Sequence, residues 1–430
     1  MASRPFPSGT LAAASLAAAA LLWLCGGAVG PARGQSPAAV PVFSDDGPDA
    51  AAYGAAENYP VGTAATSKQQ RFLVGSFSHF DRLFSSHPVP RAAEPSPLRR
   101  AAREISVSYT FRSATRTIEE YLDRNPATGL LVAKDDEILF EHYRYGRTDR
   151  DRFTSQSMAK TIVAMLIGIA VQEGAVRSID DLAAAYVPEL AGTQYGATPI
   201  RALLHMASGV AFSEDYGGAD DLARFRRALF RGDGPAASIA LFDERTAPPG
   251  TAFHYASIET ELLGLILRRA VGMPLSDYLR SRIWEPIGAE ADATWVTDPT
   301  GQDAAYCCFN AVLRDYARFA LLLAHDGEWR GRQIIPRRWL LDATTVADGE
   351  SYLAPRTATP FYGYGYQVWL LPGQRRMFAL LGIHGQTIFV DPASRLVMVQ
   401  TAVRVLPSKD PAAAETVALW YGLVKQVAAN

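Results

Sequence analysis

Thr154-Ser155-Gln156-Ser157-Met158-Ala159-Lys160-Thr161-Ile162-Val163-Ala164-Met165-Leu166 is the stretch from which this 430-residue chain is best read. Only five of its 42 basic residues are lysines, and one of them, Lys160, stands in an apolar run three residues after Ser157. A buried lysine can give up its proton and an arginine cannot, so the pair reads as a nucleophile with its base. Residues three apart share a helix face. Ser157 and Lys160 therefore meet if a helix starts at or just before Ser157. In such a first turn the backbone N–H groups are free and the helix dipole is positive, which suits an anionic tetrahedral intermediate. Met158, Ile162, Val163 and Ala164 should desolvate the amine, depress its pKa and let it take the Ser157 proton. The plain alternative is a buried lysine that is only hydrogen-bonded, or one that reaches back to the surface.

Two later stretches extend the pattern. Pro249-Gly-Thr-Ala-Phe-His-Tyr255-Ala-Ser257 ends a loop before an expected helix, so Tyr255 sits on irregular backbone where side chains project into clefts. A phenol near an ammonium loses its proton more easily, and Tyr255 could relay a proton between Ser157 and a leaving group; its plain reading is packing. Gly382-Ile383-His384-Gly385-Gln386 lies on an expected strand, where glycine marks close approach by another backbone or a ligand. A strand N–H there could serve as an oxyanion donor. His384 reads either as a direct participant or as a supporting histidine behind the site. No G-x-S-x-G elbow, P-loop, G-x-G-x-x-G or H-E-x-x-H occurs. The seven histidines show no ligand spacing, so neither a metal nor another cofactor is expected.

Around these motifs the chain divides into a leader, a linker and two subdomains. Arg4 and the apolar run Leu11 to Leu24, followed by small residues to Gly34, have the layout of a secretory signal peptide over 1–34. Export to the periplasm or medium is expected, with membrane attachment only through an uncleaved or lipidated N-terminus. Residues 35–66, rich in Ala, Pro, Gly and Ser, read as a disordered linker. A β-hairpin is expected around Asp135-Asp136, mainly helices over 178–325, and strands again from Gly365 to Val403 before a last helix. The fold class is α+β: residues 67–177 and 326–430 would form one α/β subdomain, with the helical 178–325 inserted. A 48% apolar and 20% charged chain of net charge −2 suits a soluble globular protein and gives no footprint for nucleic acid. Past the leader only Cys307 and Cys308 remain. A bridge between neighbours is strained, so no disulfide is expected and the pair reads as two small buried residues.

Taken together, in order and spacing, these elements resemble the serine β-lactamase and penicillin-binding-protein superfamily. The likeness is to its class C-like esterase branch, nearest the 6-aminohexanoate-dimer (nylon-oligomer) hydrolases. Ser157-Met-Ala-Lys160 matches the S-x-x-K motif and Tyr255-Ala-Ser257 the Y-x-S motif. Tyr186 to Gly192, Glu214-Asp-Tyr216, Arg314 to Arg318 and Gly382 to Gln386 are similar to further segments. The resemblance implies a β-lactamase/transpeptidase-like fold, an antiparallel sheet flanked by helices with an inserted helical subdomain. It implies Ser157 as acyl-enzyme nucleophile, Lys160 and Tyr255 as the proton-transfer pair, and an oxyanion hole from the N–H groups of Ser157 and Ile383. Tyr216 would line the cleft, and Ser257 and His384 would stand near the substrate.

The departures are informative. Ser257 stands where β-lactamases usually carry Asn. Leu381-Gly382-Ile383 replaces Lys-Thr-Gly and so lacks the cation that holds a β-lactam carboxylate. Arg227 occupies the position, eleven after Tyr216, where the nylon-type subsite is acidic, which argues against a cationic substrate end. The expected function is an exported serine hydrolase taking a small-molecule ester or amide. Its specificity would lie in the loops 213–235 and 300–312, and its oligomeric state is open. The competing readings are a β-lactamase or D-Ala-D-Ala peptidase, and an inactive binding or sensor module.

Overall fold

The computed structural model describes residues 40–427. The expected signal peptide lies outside the described residues. Nine strands form the main sheet: β1 (Val42–Phe43), β2 (Arg99–Arg100), β3 (Ala127–Lys134), β4 (Glu137–Tyr143), β5 (Gly363–Tyr364), β6 (Trp369–Leu370), β7 (Phe378–Gly382), β8 (Gln386–Asp391) and β9 (Leu396–Ala402). Their order is β1-β4-β3-β9-β8-β7-β6-β5, with β2 also beside β4. The sheet is antiparallel except where β1 and β2 run parallel to β4. N-terminal and C-terminal parts of the chain thus share one sheet through the β3–β9 pairing.

Side chains alternate across a strand, and β9 divides its residues between two cores in this way. Val397 and Val399 enter the larger apolar core, while Leu396 and Met398 enter a second core on the opposite face. Burial on both faces explains why β9 reads as an unbroken apolar run. The helix Leu313–Ala324 covers one face. The C-terminal helix Ala412–Val427 lies on the other, where Trp420 stacks on Phe389 with centroids 5.4 Å apart.

Helix α1 (Ala159–Gln172) is buried nearly all round and packs against α2 (Ser257–Val271). An all-apolar surface has to be covered on every side. Gly168 belongs to that packing: a methyl group there would overlap the Trp339 indole, whose Nε1 donates to the Ala164 carbonyl at 3.1 Å. Helix α3 (Leu313–Ala324) packs on β3, β8 and β9, so it belongs with the sheet rather than with the helices of 178–325. A second sheet, ordered Ser86–Val89, Ala293–Val296, Phe309–Ala311, Phe153–Thr154, leads into the turn that carries Ser157.

Three sequence expectations change. Residues 40–66 are not a free linker: β1 pairs with β4, and buried Tyr53 and Tyr59 set their rings edge-on to Tyr145, at 5.3 and 5.7 Å. The strand expected over Gly365 to Leu371 is interrupted. Gln367 adopts φ 55° and turns its amide to the carbonyls of Leu203 and Leu204. Cys307 and Cys308, both buried, are joined by a disulfide. Bridge formation between neighbours is met by a backbone adjustment, with Cys308 at φ 71°.

Candidate active site

Ser157 sits in a single tight turn, Gln156–Met158, that runs directly into α1. The turn is fixed from the second sheet: Ser155 N donates to the Phe309 carbonyl at 2.7 Å, and Phe309 N donates to Ser155 Oγ at 3.1 Å. Lys160, one turn on, is 2% exposed and donates from Nζ to Ser157 Oγ at 3.0 Å and to the Tyr306 carbonyl at 2.7 Å. Burial pushes the Lys160 ammonium down to about 8, against the opposing fields of Glu214 and Glu261. The neutral amine, the state a base requires, is therefore a minor form, roughly a tenth, at pH 7 and the major one above about 8.

Tyr255 lies just before α2 and faces the same point. Lys160 Nζ is 5.2 Å from its ring centroid, and the ring stacks on Trp369 with centroids 5.4 Å apart. Its titration runs against the sequence reading. Burial, reinforced by the negative charge of Glu214, pushes the phenol well above its ordinary value, with only the Ser157 hydroxyl opposing. Desolvation dominates, so Tyr255 holds its proton and is suited to donating and relaying.

Glu214 is the residue that sequence reasoning missed. Its carboxylate accepts from the Ser257 N–H and hydroxyl, both at 2.7 Å, and from the Tyr216 hydroxyl at 2.8 Å. A carboxylate at the start of α2 is favoured by the helix dipole, and it fixes the point from which Tyr255 projects. An acid two residues before a cleft tyrosine carried the only signal, and that signal did not specify a role.

Ser157, Glu214, Tyr216, Tyr255, Ile383 and Gly385 line one cavity of about 370 Å³. Its walls continue through Tyr362, Trp369, Leu381 and Phe389 to Leu406, Lys409 and Arg404. Two expected substrate contacts are not on that wall. Ser257 is buried and spends both polar groups on Glu214. His384 is 2% exposed, shares a hydrogen bond through Nδ1 with the Arg404 carbonyl at 2.6 Å, and sets its ring edge-on to Phe77. Burial pushes it down to about 4, so it is a neutral packing residue. Arg227 is exposed and also off the cavity wall.

Gly382 meets the expectation for a strand glycine. A β-carbon there would stand 2.6 Å from the Ser155 carbonyl oxygen and 3.0 Å from the Gln156 β-carbon. Only glycine lets β7 reach the nucleophile turn and bring Ile383 beside Ser157.

Residues 114–420 match the family model described as Beta-lactamase. A 6-aminohexanoate-dimer hydrolase of Paenarthrobacter ureafaciens is 28% identical over 291 residues, 66% of this chain and 74% of that protein. Among solved structures, a Bacillus anthracis protein assigned as a 6-aminohexanoate-dimer hydrolase superposes with a TM-score of 0.74 at 25% identity. That match covers 84% of this chain and 95% of that one. A family VIII carboxylesterase shares the fold alone, at 18% identity and a TM-score of 0.55, covering 69% of this chain and 92% of its own.

Proposed function

The chain belongs to the beta-lactamase family, and from that premise we propose that it cleaves esters or amides through an acyl-enzyme on Ser157. It is a serine hydrolase of amide or ester bonds, related to 6-aminohexanoate-dimer hydrolase. The observation that carries the finer reading is the buried contact of 3.0 Å between Lys160 Nζ and Ser157 Oγ.

In the proposed reaction, Ser157 Oγ attacks the substrate carbonyl carbon while neutral Lys160 takes its proton. The oxyanion is held by the N–H groups of Ser157 and Ile383, both residues of the cavity wall. The C–O or C–N bond then breaks as the leaving group receives a proton through the Tyr255 hydroxyl. Water, deprotonated along the same route, attacks the acyl-enzyme, releases the acid and restores Ser157.

The cavity also supports a substrate class. Ser157, Arg404 and Lys409 share the cavity wall with the apolar side chains of Leu381, Phe389 and Leu406. Arg404 is 5% exposed; its Nη2 donates to the Ala412 carbonyl at 3.3 Å and to the Thr416 hydroxyl, neither of them a carboxylate, and its Nε has no hydrogen-bond partner. Asp410 stands on the same wall and leaves this 404–410 stretch of the wall net cationic. A buried guanidinium without a carboxylate partner favours a bound carboxylate. The substrate is therefore an ester or amide with an apolar spacer ending in a carboxylate. Export remains part of the proposal on the leader-like N-terminus; no described helix is long and apolar enough to cross a membrane.

The direct test is hydrolysis of p-nitrophenyl acetate and butyrate, with Ser157→Ala as control and intact mass to find the acyl adduct. Full turnover by the variant would remove Ser157 as nucleophile.

A further inference from the structure

The reading of Lys160 as base raises a question of orientation. A neutral amine has two N–H groups and one lone pair, and the lone pair must face Ser157 Oγ. The other polar neighbour of Nζ is the Tyr306 carbonyl oxygen at 2.7 Å. A carbonyl only accepts, so it takes an N–H and turns the lone pair toward Ser157. Once Nζ holds the serine proton, the same oxygen stabilises the ammonium in a buried site.

That carbonyl belongs to a loop, and the next two residues are the bridged pair Cys307 and Cys308. The loop is tied on several sides. Ala305 N donates to Glu261 Oε2 at 2.9 Å, and Cys307 N to the Ala304 carbonyl at 3.2 Å. Trp295 Nε1 donates to the Cys307 carbonyl at 3.1 Å, and Val296 N to the Cys308 carbonyl at 3.2 Å. Cys308 at φ 71° occupies the left-handed region, which residues with a β-carbon rarely adopt. Something must hold it there.

We propose that the Cys307–Cys308 bridge is a positioning device for the reaction: it keeps Cys308 left-handed and so fixes the Tyr306 carbonyl against Lys160 Nζ. With the bridge open, Cys308 relaxes to an ordinary conformation and the carbonyl leaves the amine. The two cysteines touch neither substrate nor the reacting atoms; they act through Tyr306 and Lys160. This inference rests on Ser157 and Lys160 being the nucleophile and base.

The test uses the full chain. One tris(2-carboxyethyl)phosphine opens one bridge, giving two thiols and the phosphine oxide, whose oxygen comes from water. Intact mass after iodoacetamide counts the thiols before and after reduction. Opening the bridge, by reduction or in a Cys307→Ser/Cys308→Ser variant, is expected to lower kcat about 10–100-fold with KM nearly unchanged. The acid limb of kcat/KM is expected to move to lower pH, because the desolvated ammonium loses its acceptor. Cys307 and Cys308 both alkylated in the untreated protein, counted apart from Cys25 by peptide mass, overturn the proposal. So does an opened bridge that leaves kcat and the acid limb in place, or that only lowers the fraction of sites labelled by a fluorophosphonate. If the double variant fails to fold by circular dichroism, the reduced wild-type chain decides. Failure of the underlying reading looks different: Ser157→Ala would retain turnover whatever the state of the bridge.

Discussion

Glu214 accepts both the backbone N–H and the hydroxyl of Ser257, each at 2.7 Å, and thereby joins the segment leading into the helix Asp221–Ala228 to the start of α2 beside Tyr255. Its charge also raises Lys160 against desolvation. Glu214→Gln keeps the shape and removes the charge. The acid limb of kcat/KM should then move to lower pH, with a stability loss of about 1–3 kcal/mol from the weakened hydrogen bonds. A pH–rate profile with an unmoved limb would show that Glu214 does not set the base.

Activity of the unaltered protein should rise as pH passes about 8, where Lys160 becomes neutral. No falling limb from Tyr255 is expected below about pH 10, because burial pushes that phenol up. Lys160→Arg, which cannot supply a neutral amine, should lose about a thousand-fold or more in kcat. Stability carries the matching sign. The folded pKa of Lys160 lies below its unfolded value, so between about 10.5 and about 8 the unfolded chain binds a proton that the folded chain does not. The Lys160 contribution to stability therefore falls as pH drops through that window and is flat below it. Denaturant titrations of the parent and a Lys160→Met variant across pH 7–11 read this difference.

Tyr255→Phe separates relay from packing. The ring and its stack on Trp369 survive, while the hydroxyl is lost. A relay role lowers kcat by about 10²–10⁴-fold with the melting temperature nearly constant. Unchanged kcat would reduce Tyr255 to a wall of the cavity.

Gly382→Ala tests the approach of β7 to the nucleophile turn. The added methyl meets the Ser155 carbonyl, which cannot swing aside as a flexible side chain would. The expected cost is about 1–3 kcal/mol in stability, together with a fall in kcat as Ile383 moves from Ser157. Wild-type kcat in the folded variant would take Ile383 out of the oxyanion hole.

Charge selectivity should follow Lys409. For a p-nitrophenyl half-ester of adipate, Lys409→Glu should raise KM, whereas p-nitrophenyl butyrate should be little affected. Equal effects on both substrates would sink the carboxylate reading.

The sequence made some of this legible and left the rest hidden, for identifiable reasons. Helix α1, the β3–β4 hairpin and β7 to β9 announce themselves through apolar period, turn residues and a strand glycine, which are all local properties. Ser157, Lys160 and Tyr255 carry chemistry in their spacing, and the structure brings them together. Glu214 could not be assigned because its value lies in bonds to Ser257, 43 residues away. His384 misled because a histidine between two glycines looks available, yet φ 61° turns it into the core behind the strand. The 40–66 segment read as linker because it is rich in Ala, Pro, Gly and Ser, while its anchoring depends on two tyrosines meeting Tyr145.

The pairing of Val42–Phe43 with His142–Tyr143 reaches beyond the reaction. Unsatisfied amide and carbonyl groups along a sheet margin recruit other chains, and β1 covers part of that margin on β4. An expression boundary chosen by composition, near residue 67, would strip this cover and leave a self-adhesive rim. Soluble preparations therefore call for a start point upstream of Val42.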